Sequence, residues 1–189
     1  MKLRVELASA ALLSVVLCPP VFAGKKPPES PPSLSVEHQH PSGAFTFRTP
    51  EGWTVQAPEG SPEALDTWGG DLGIRFVYRP GEAGFDALHA TCMLERLAGP
   101  MDIEPQVSYE YDFVSGNAGN RRMLDSAFVV RYDKPRHNHR EWRQRNLTVV
   151  GEGQSLCLIT YVPREMWKSS APARALVEAV LGSVTFRLP

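Results

Sequence analysis

Six basic side chains and a tryptophan crowd one short stretch of this chain, and they define the first chemistry open to it. Between positions 131 and 145 stand Arg131, Lys134, Arg136, Arg140, Arg143 and Arg145, against only Asp133 and Glu141, with Trp142 among them. Such a patch attracts an anionic surface or an acidic protein, and arginine with tryptophan is a pairing enriched where proteins meet. Arg136, Arg140, Trp142, Arg143 and Arg145 are therefore the candidate partner-binding residues. The competing reading is a solvated hairpin with ordinary cross-strand charge pairs. Elsewhere Glu51, Glu59, Glu63 and Asp66 have no basic residue between them, which implies a domain polar in charge.

Histidine spacing offers a second chemistry. His38-x-His40 and His137-x-His139 would each point two imidazoles the same way along an extended backbone, and imidazole is a good ligand for zinc or copper. Neither pair has a neighbouring Asp, Glu or Cys at a spacing that completes a site, so His137 and His139 are weak metal candidates. His89 lies in a helical run and reads as structural. No G-x-S-x-G, phosphate-loop, H-E-x-x-H or C-x-x-C motif occurs. Gly151-Glu152-Gly153 lacks the third glycine of a dinucleotide fingerprint and reads as a hairpin turn. The expectation is a chain without catalysis or cofactor, although a site assembled from distant residues leaves no trace in spacing. Trp167, near Tyr161 and Met166, is either a docking knob or a staple of helix to sheet. The Asn146-Leu147-Thr148 sequon falls in a strand-like run and is a poor glycan acceptor.

Cysteine and the first segment concern the compartment. Lys2 and Arg4 precede an apolar run over 8–17, and Val21-Phe22-Ala23 supplies a cleavage-like end. That is the layout of a secretory signal peptide over 1–23, whose apolar run is too short to span a bilayer. Lipidation at Cys18 would need a small residue before it, and Leu17 stands there. Of the chain's 20 basic and 21 acidic residues, Lys2, Arg4 and Glu6 fall in this segment, leaving 18 and 20. Near-neutral balance disfavours nucleic acid as partner. Cys92 and Cys157 read either as a disulfide of an oxidising compartment or as two buried thiols.

These residues need elements to position them. Residues 24–42, with Pro27, Pro28, Pro31, Pro32 and Pro41, read as an extended, solvated leader, and 43–189 as a single domain. Phe45 and Phe47, then Trp53, Val55 and Ala57, alternate as a hairpin around Pro50-Glu51-Gly52. A strand is expected over 72–78 and a helix over 85–98, stopped by Gly99-Pro100. Strands over 107–115, 123–132, 142–150 and 156–162 follow, joined by short turns that make antiparallel pairs. Ser170 caps a helix over 171–181 whose Ala173, Leu176, Val177, Val180 and Leu181 share one face. Val184, Phe186 and Leu188 make a last strand. The fold class is α+β: an antiparallel sheet of six or seven strands flanked by helices.

The series Phe45-x-Phe47-x-x-Pro50-x-Gly52-Trp53, a helix, a four-strand meander, and an amphipathic helix running into Gly182-Ser183-Val184-Thr185-Phe186 resembles the PsbP-like fold family. Its members include the extrinsic photosystem II subunit, a Ran-binding import factor and bacterial envelope relatives. The resemblance implies a binding or assembly role rather than catalysis, and it assigns no site residue. The expectation is an exported, periplasmic or secreted binding factor whose partner is a protein or anionic envelope component. A small-molecule or metal carrier and an envelope hydrolase are the alternatives.

Overall fold

The computed structural model describes residues 33–81, 84–94, 106–118, 120–136 and 138–187. Strands β3 (Thr54–Gln56), β4 (Ala64–Gly69), β5 (Leu72–Pro80), β6 (Gln106–Ala118), β7 (Arg121–Arg136), β8 (His139–Gly151) and β9 (Gln154–Pro163) form one seven-stranded sheet. Its order is β3-β4-β5-β9-β8-β7-β6, and every neighbouring pair is antiparallel. A three-stranded sheet of β1 (Val36–Gln39), β2 (Phe45–Thr49) and β10 (Thr185–Phe186) accompanies it, with β2 in the middle. Helices α1 (Phe85–Leu94), α2 (Arg164–Ser169) and α3 (Ala171–Gly182) complete an α+β architecture.

Both faces of the large sheet carry a core. On one face Phe45 and Phe47 of β2 and Val177, Val180 and Leu181 of α3 pack with Ile74, Phe76, Leu156 and Leu158. The Phe47 and Phe76 rings stack at 4.3 Å. On the other, Leu88 and Cys92 of α1 pack with Val77, Phe128, Val130, Trp142, Cys157, Ile159 and Tyr161. Covered on both sides, β9 is buried along its whole length, and its apolar run Leu156-Cys157-Leu158-Ile159 suits such a strand. The Cys92 and Cys157 sulfurs are bonded, with Cα atoms 6.1 Å apart, and this fastens α1 to the central strand. The Ser170 hydroxyl accepts from the Ala173 N–H at 3.2 Å and caps α3.

Several expectations are corrected. The span 24–42 is not all leader: Val36–Gln39 pairs with β2, and His40 is buried. Alternating Val36 and His38 against Glu37 and Gln39 is a strand signal that the nearby prolines obscure. Phe45–Thr49 and Thr54–Gln56 do not form a hairpin together, because β2 pairs with β1 and β10 while β3 pairs with β4. Gly52, at φ +83°, turns the chain from one sheet into the other. Strand β4 and the short α2 add to the elements read from sequence, and β10 is shorter than that reading. The signal-peptide segment, with Cys18, and the helix beyond Leu94 lie outside the described residues. No helix among the described residues is long and apolar enough to cross a membrane.

Candidate functional site

The basic stretch divides when folded. Strand alternation in β8 sends Trp142 into the core, fully buried, and aims Arg143 and Arg145 at the opposite face. There Arg143 bonds Glu110 at 2.7 Å, and its guanidinium lies 4.0 Å over the Trp167 ring. Arg145 grips Asp125 with two nitrogens and Glu178 of α3 with a third. The hydrogen bond to Asp125 raises the Arg145 pKa further above its usual range, against the opposing effect of burial. Burial, and then the Asp125 charge, raise Tyr111, whose hydroxyl also bonds that carboxylate. Arg164 holds the Glu141 carboxyl below its usual range through a 2.7 Å bond. Trp142 is thus buried, and Arg143 and Arg145 are held by carboxylates brought from β6, β7 and α3, which the sequence did not reveal. Arg136, half-buried against the Tyr132 ring, and exposed Arg140 remain near the hairpin tip. Trp167 is a packing residue under Arg143 rather than a knob.

The histidines are engaged locally. His38 stacks on Phe47 and bonds Thr49 at 2.8 Å, and His40 stacks on Phe45 and bonds Ser42 at 2.7 Å. Burial lowers the pKa of both rings below 6.5. His137 lies outside the described residues, and among those described no group of three or more His, Cys, Asp or Glu converges on a metal position. His89 of α1 is buried, with Nδ1 2.7 Å from Thr148 Oγ1 and Nε2 3.4 Å from Ser126 Oγ. A serine beside a histidine invites a hydrolase reading, but both are fully enclosed, so water and substrate have no approach. Asn146 donates to the Cys92 carbonyl at 2.7 Å inside the same layer, which withdraws the sequon from any glycan.

The arrangement with room for a ligand is one that sequence reasoning missed. A cleft of about 470 Å³ opens on the α1 side of the large sheet, lined by residues including Trp68, Trp142, Tyr161, Asp66, Arg75 and Asp71. Register builds it: Trp68, Gly73 and Tyr161 stand side by side across β4, β5 and β9. The Trp68 ring lies flat on the Gly73 backbone, where a Cβ would meet it at 2.3 Å, and stacks 7° from parallel to Tyr161 at 6.0 Å. One row further, Asp66 and Arg75 are directly paired and bond bidentately at 2.7 and 2.8 Å with little water around them. The β4–β5 turn uses Gly70 at φ +60°, the first-position glycine of a type II′ hairpin, and presents Asp71. From the β7–β8 hairpin tip His139 Nε2 meets Asp71 at 3.1 Å and stands edge-on to Trp142, so two turns are tied at one end of the cleft. Beside them Arg140 lines a separate polar hollow with Glu141 and Glu165. A signal did exist: centring a two-residue turn on Gly70-Asp71 pairs Asp66 with Arg75 directly.

The cleft combines aromatic walls with a few fixed polar groups, the composition of a recognition pocket. Its guanidinium and one carboxylate are spent on each other.

No protein-family model matches the chain, and no curated protein sequence matches it. Among solved structures it is similar to the solution structure of cyanobacterial PsbP (CyanoP) from Synechocystis sp. PCC 6803. The TM-score is 0.57 at 10% identity, over 87% of this chain and 99% of that one. A crystal structure from Bacteroides thetaiotaomicron VPI-5482 gives 0.52 at 10% identity over 80% of this chain, which spans about half (48%) of that longer one. The Saccharomyces cerevisiae Ran-binding protein Mog1p gives 0.47 at 9% identity, over 82% and 96%. These likenesses concern the fold.

Proposed function

We propose that this chain, built on the PsbP-like fold, is an exported, non-catalytic binding or assembly factor. It engages a protein partner at the end of the sheet where the Trp68 cleft and the β7–β8 hairpin tip adjoin. The observation that carries the reading is the cleft itself, with Trp68 half-buried at its wall and polar groups fixed beneath it. Arg136 and Arg140 lie at the β7–β8 hairpin tip, from which His139 reaches Asp71 of the cleft. The bonded Cys92 and Cys157 support an oxidising compartment, as does the signal-like start of the chain. The apolar stripes of β2, α1 and α3 are consumed in holding the sheets and helices together.

Immobilised mature chain should retain a discrete partner from its native envelope fraction. Trp68→Ala, and separately the pair Arg136→Glu with Arg140→Glu, should each lower retention at least several-fold while thermal melting stays cooperative. Undiminished retention by both variants would remove this surface.

A further inference from the structure

We propose that the Trp68 cleft takes a basic side chain, lysine or arginine, from the partner protein. This rests on the reading of the cleft as the contact site and narrows what fills it.

Charge comes first. Among the described lining residues stand two carboxylates, Asp66 and Asp71, and one guanidinium, Arg75. Arg75 directs two nitrogens at Asp66, so that pair is internally neutral and the guanidinium is committed away from any incoming anion. Asp71 is different. Its side chain is 43% exposed, and its described partner is the His139 imidazole at 3.1 Å. Asp71 is thus the carboxylate of the described lining that Arg75 does not pair.

The walls give the second argument. A cation over an aromatic ring is attracted by the ring quadrupole, most strongly for tryptophan and most of all where water is excluded. Trp68 presents such a ring beside Asp71, backed by Tyr161. The fold already packs guanidinium groups on rings elsewhere: Arg143 over Trp167 at 4.0 Å, Arg121 over Phe186 at 4.2 Å and Arg122 over Phe85 at 4.5 Å. A lysine or arginine also suits the shape, because its apolar stem can lie along aromatic walls while its head reaches the carboxylate. A purely apolar side chain would leave Asp71 partly desolvated and unanswered, and an acidic one would meet it with like charge.

Tryptophan fluorescence of the mature chain can be followed during titration with acetylated, amidated Gly-Lys-Gly, its norleucine counterpart, and choline. The lysine peptide should give a saturable change, with the norleucine peptide weaker by about tenfold or more. Trp68→Leu should abolish the response, and Asp71→Asn, an exposed change that leaves folding intact, should weaken lysine binding by roughly tenfold. Equal affinity for the lysine and norleucine peptides, no saturable response to lysine, or no effect of Asp71→Asn would overturn the proposal. Choline binding much more tightly than the lysine peptide would also overturn it and assign the cleft to a small quaternary amine. Those failures leave partner retention by Trp68→Ala as a separate test, so the contact site and its occupant are judged apart.

Discussion

The Asp66 carboxylate and Arg75 guanidinium face each other across β4 and β5, and each is worth more to the fold as a pair than alone. Removing one leaves the other charged and nearly dry, at a cost on the order of 3–5 kcal/mol. Asp66→Ala should therefore lower the urea midpoint far more than Asp66→Leu combined with Arg75→Met, which removes both charges. Gly73 is a second sensitive position. An alanine there would place Cβ 2.3 Å from the Trp68 ring, so Gly73→Ala should cost about 1–3 kcal/mol and shift tryptophan emission as the ring is displaced. Titration adds a third effect, through His38 and His40. Burial lowers both folded pKa values below 6.5, so between those values and 6.5 the unfolded chain binds more protons. Their stabilising contribution is complete above pH 6.5 and is lost as pH falls through the lowered folded values. Urea midpoints at about pH 7.5 and about pH 5 should differ less in His40→Gln than in the native chain, and an unchanged difference would acquit His40. Residue types announced the basic stretch but not its fate. Glu110, Asp125 and Glu178 lie 33, 20 and 33 positions from the arginines they neutralise, a relation only strand pairing reveals.

Strands and helices were legible where periodicity was uninterrupted. The β7–β8–β9 meander and α3 follow directly from alternation, short turns and the Ser170 cap. Gly151-Glu152-Gly153-Gln154 makes the expected turn, with Glu152 and Gly153 both at positive φ as a type I′ hairpin needs. Pairing was less legible than existence. The alternation of Phe45-Thr46-Phe47 marks a strand but cannot say that its neighbours are β1 and β10, one of them about 140 positions away. Strand β4 was hidden because Asp66 and Thr67 interrupt its apolar pattern, and Asp66 is buried only by virtue of Arg75. The disulfide makes a prediction at this scale. It closes a separation of 65 residues, for which chain entropy suggests about 4 kcal/mol. Cys92→Ser with Cys157→Ser should lower the melting temperature sharply, and a reducing agent should do the same to the native chain but leave the double variant unmoved.

For the molecule as a whole, both faces of the large sheet carry a packed core. Fold class was readable from the chain; strand β4, the second, smaller sheet and the cleft were not. The cleft's walls come from β3, β4, β5, β8 and β9, so it exists only once five strands are in register. The central claim is that this end of the molecule is the contact surface. It is tested most directly by photo-crosslinking in the native compartment, with benzoylphenylalanine replacing either exposed Gln56 at the cleft or exposed Ala175 on α3. A discrete adduct from position 56, lost when Trp68→Ala is added, and none from position 175 is the predicted result. An adduct from position 175 without one from position 56 would contradict it.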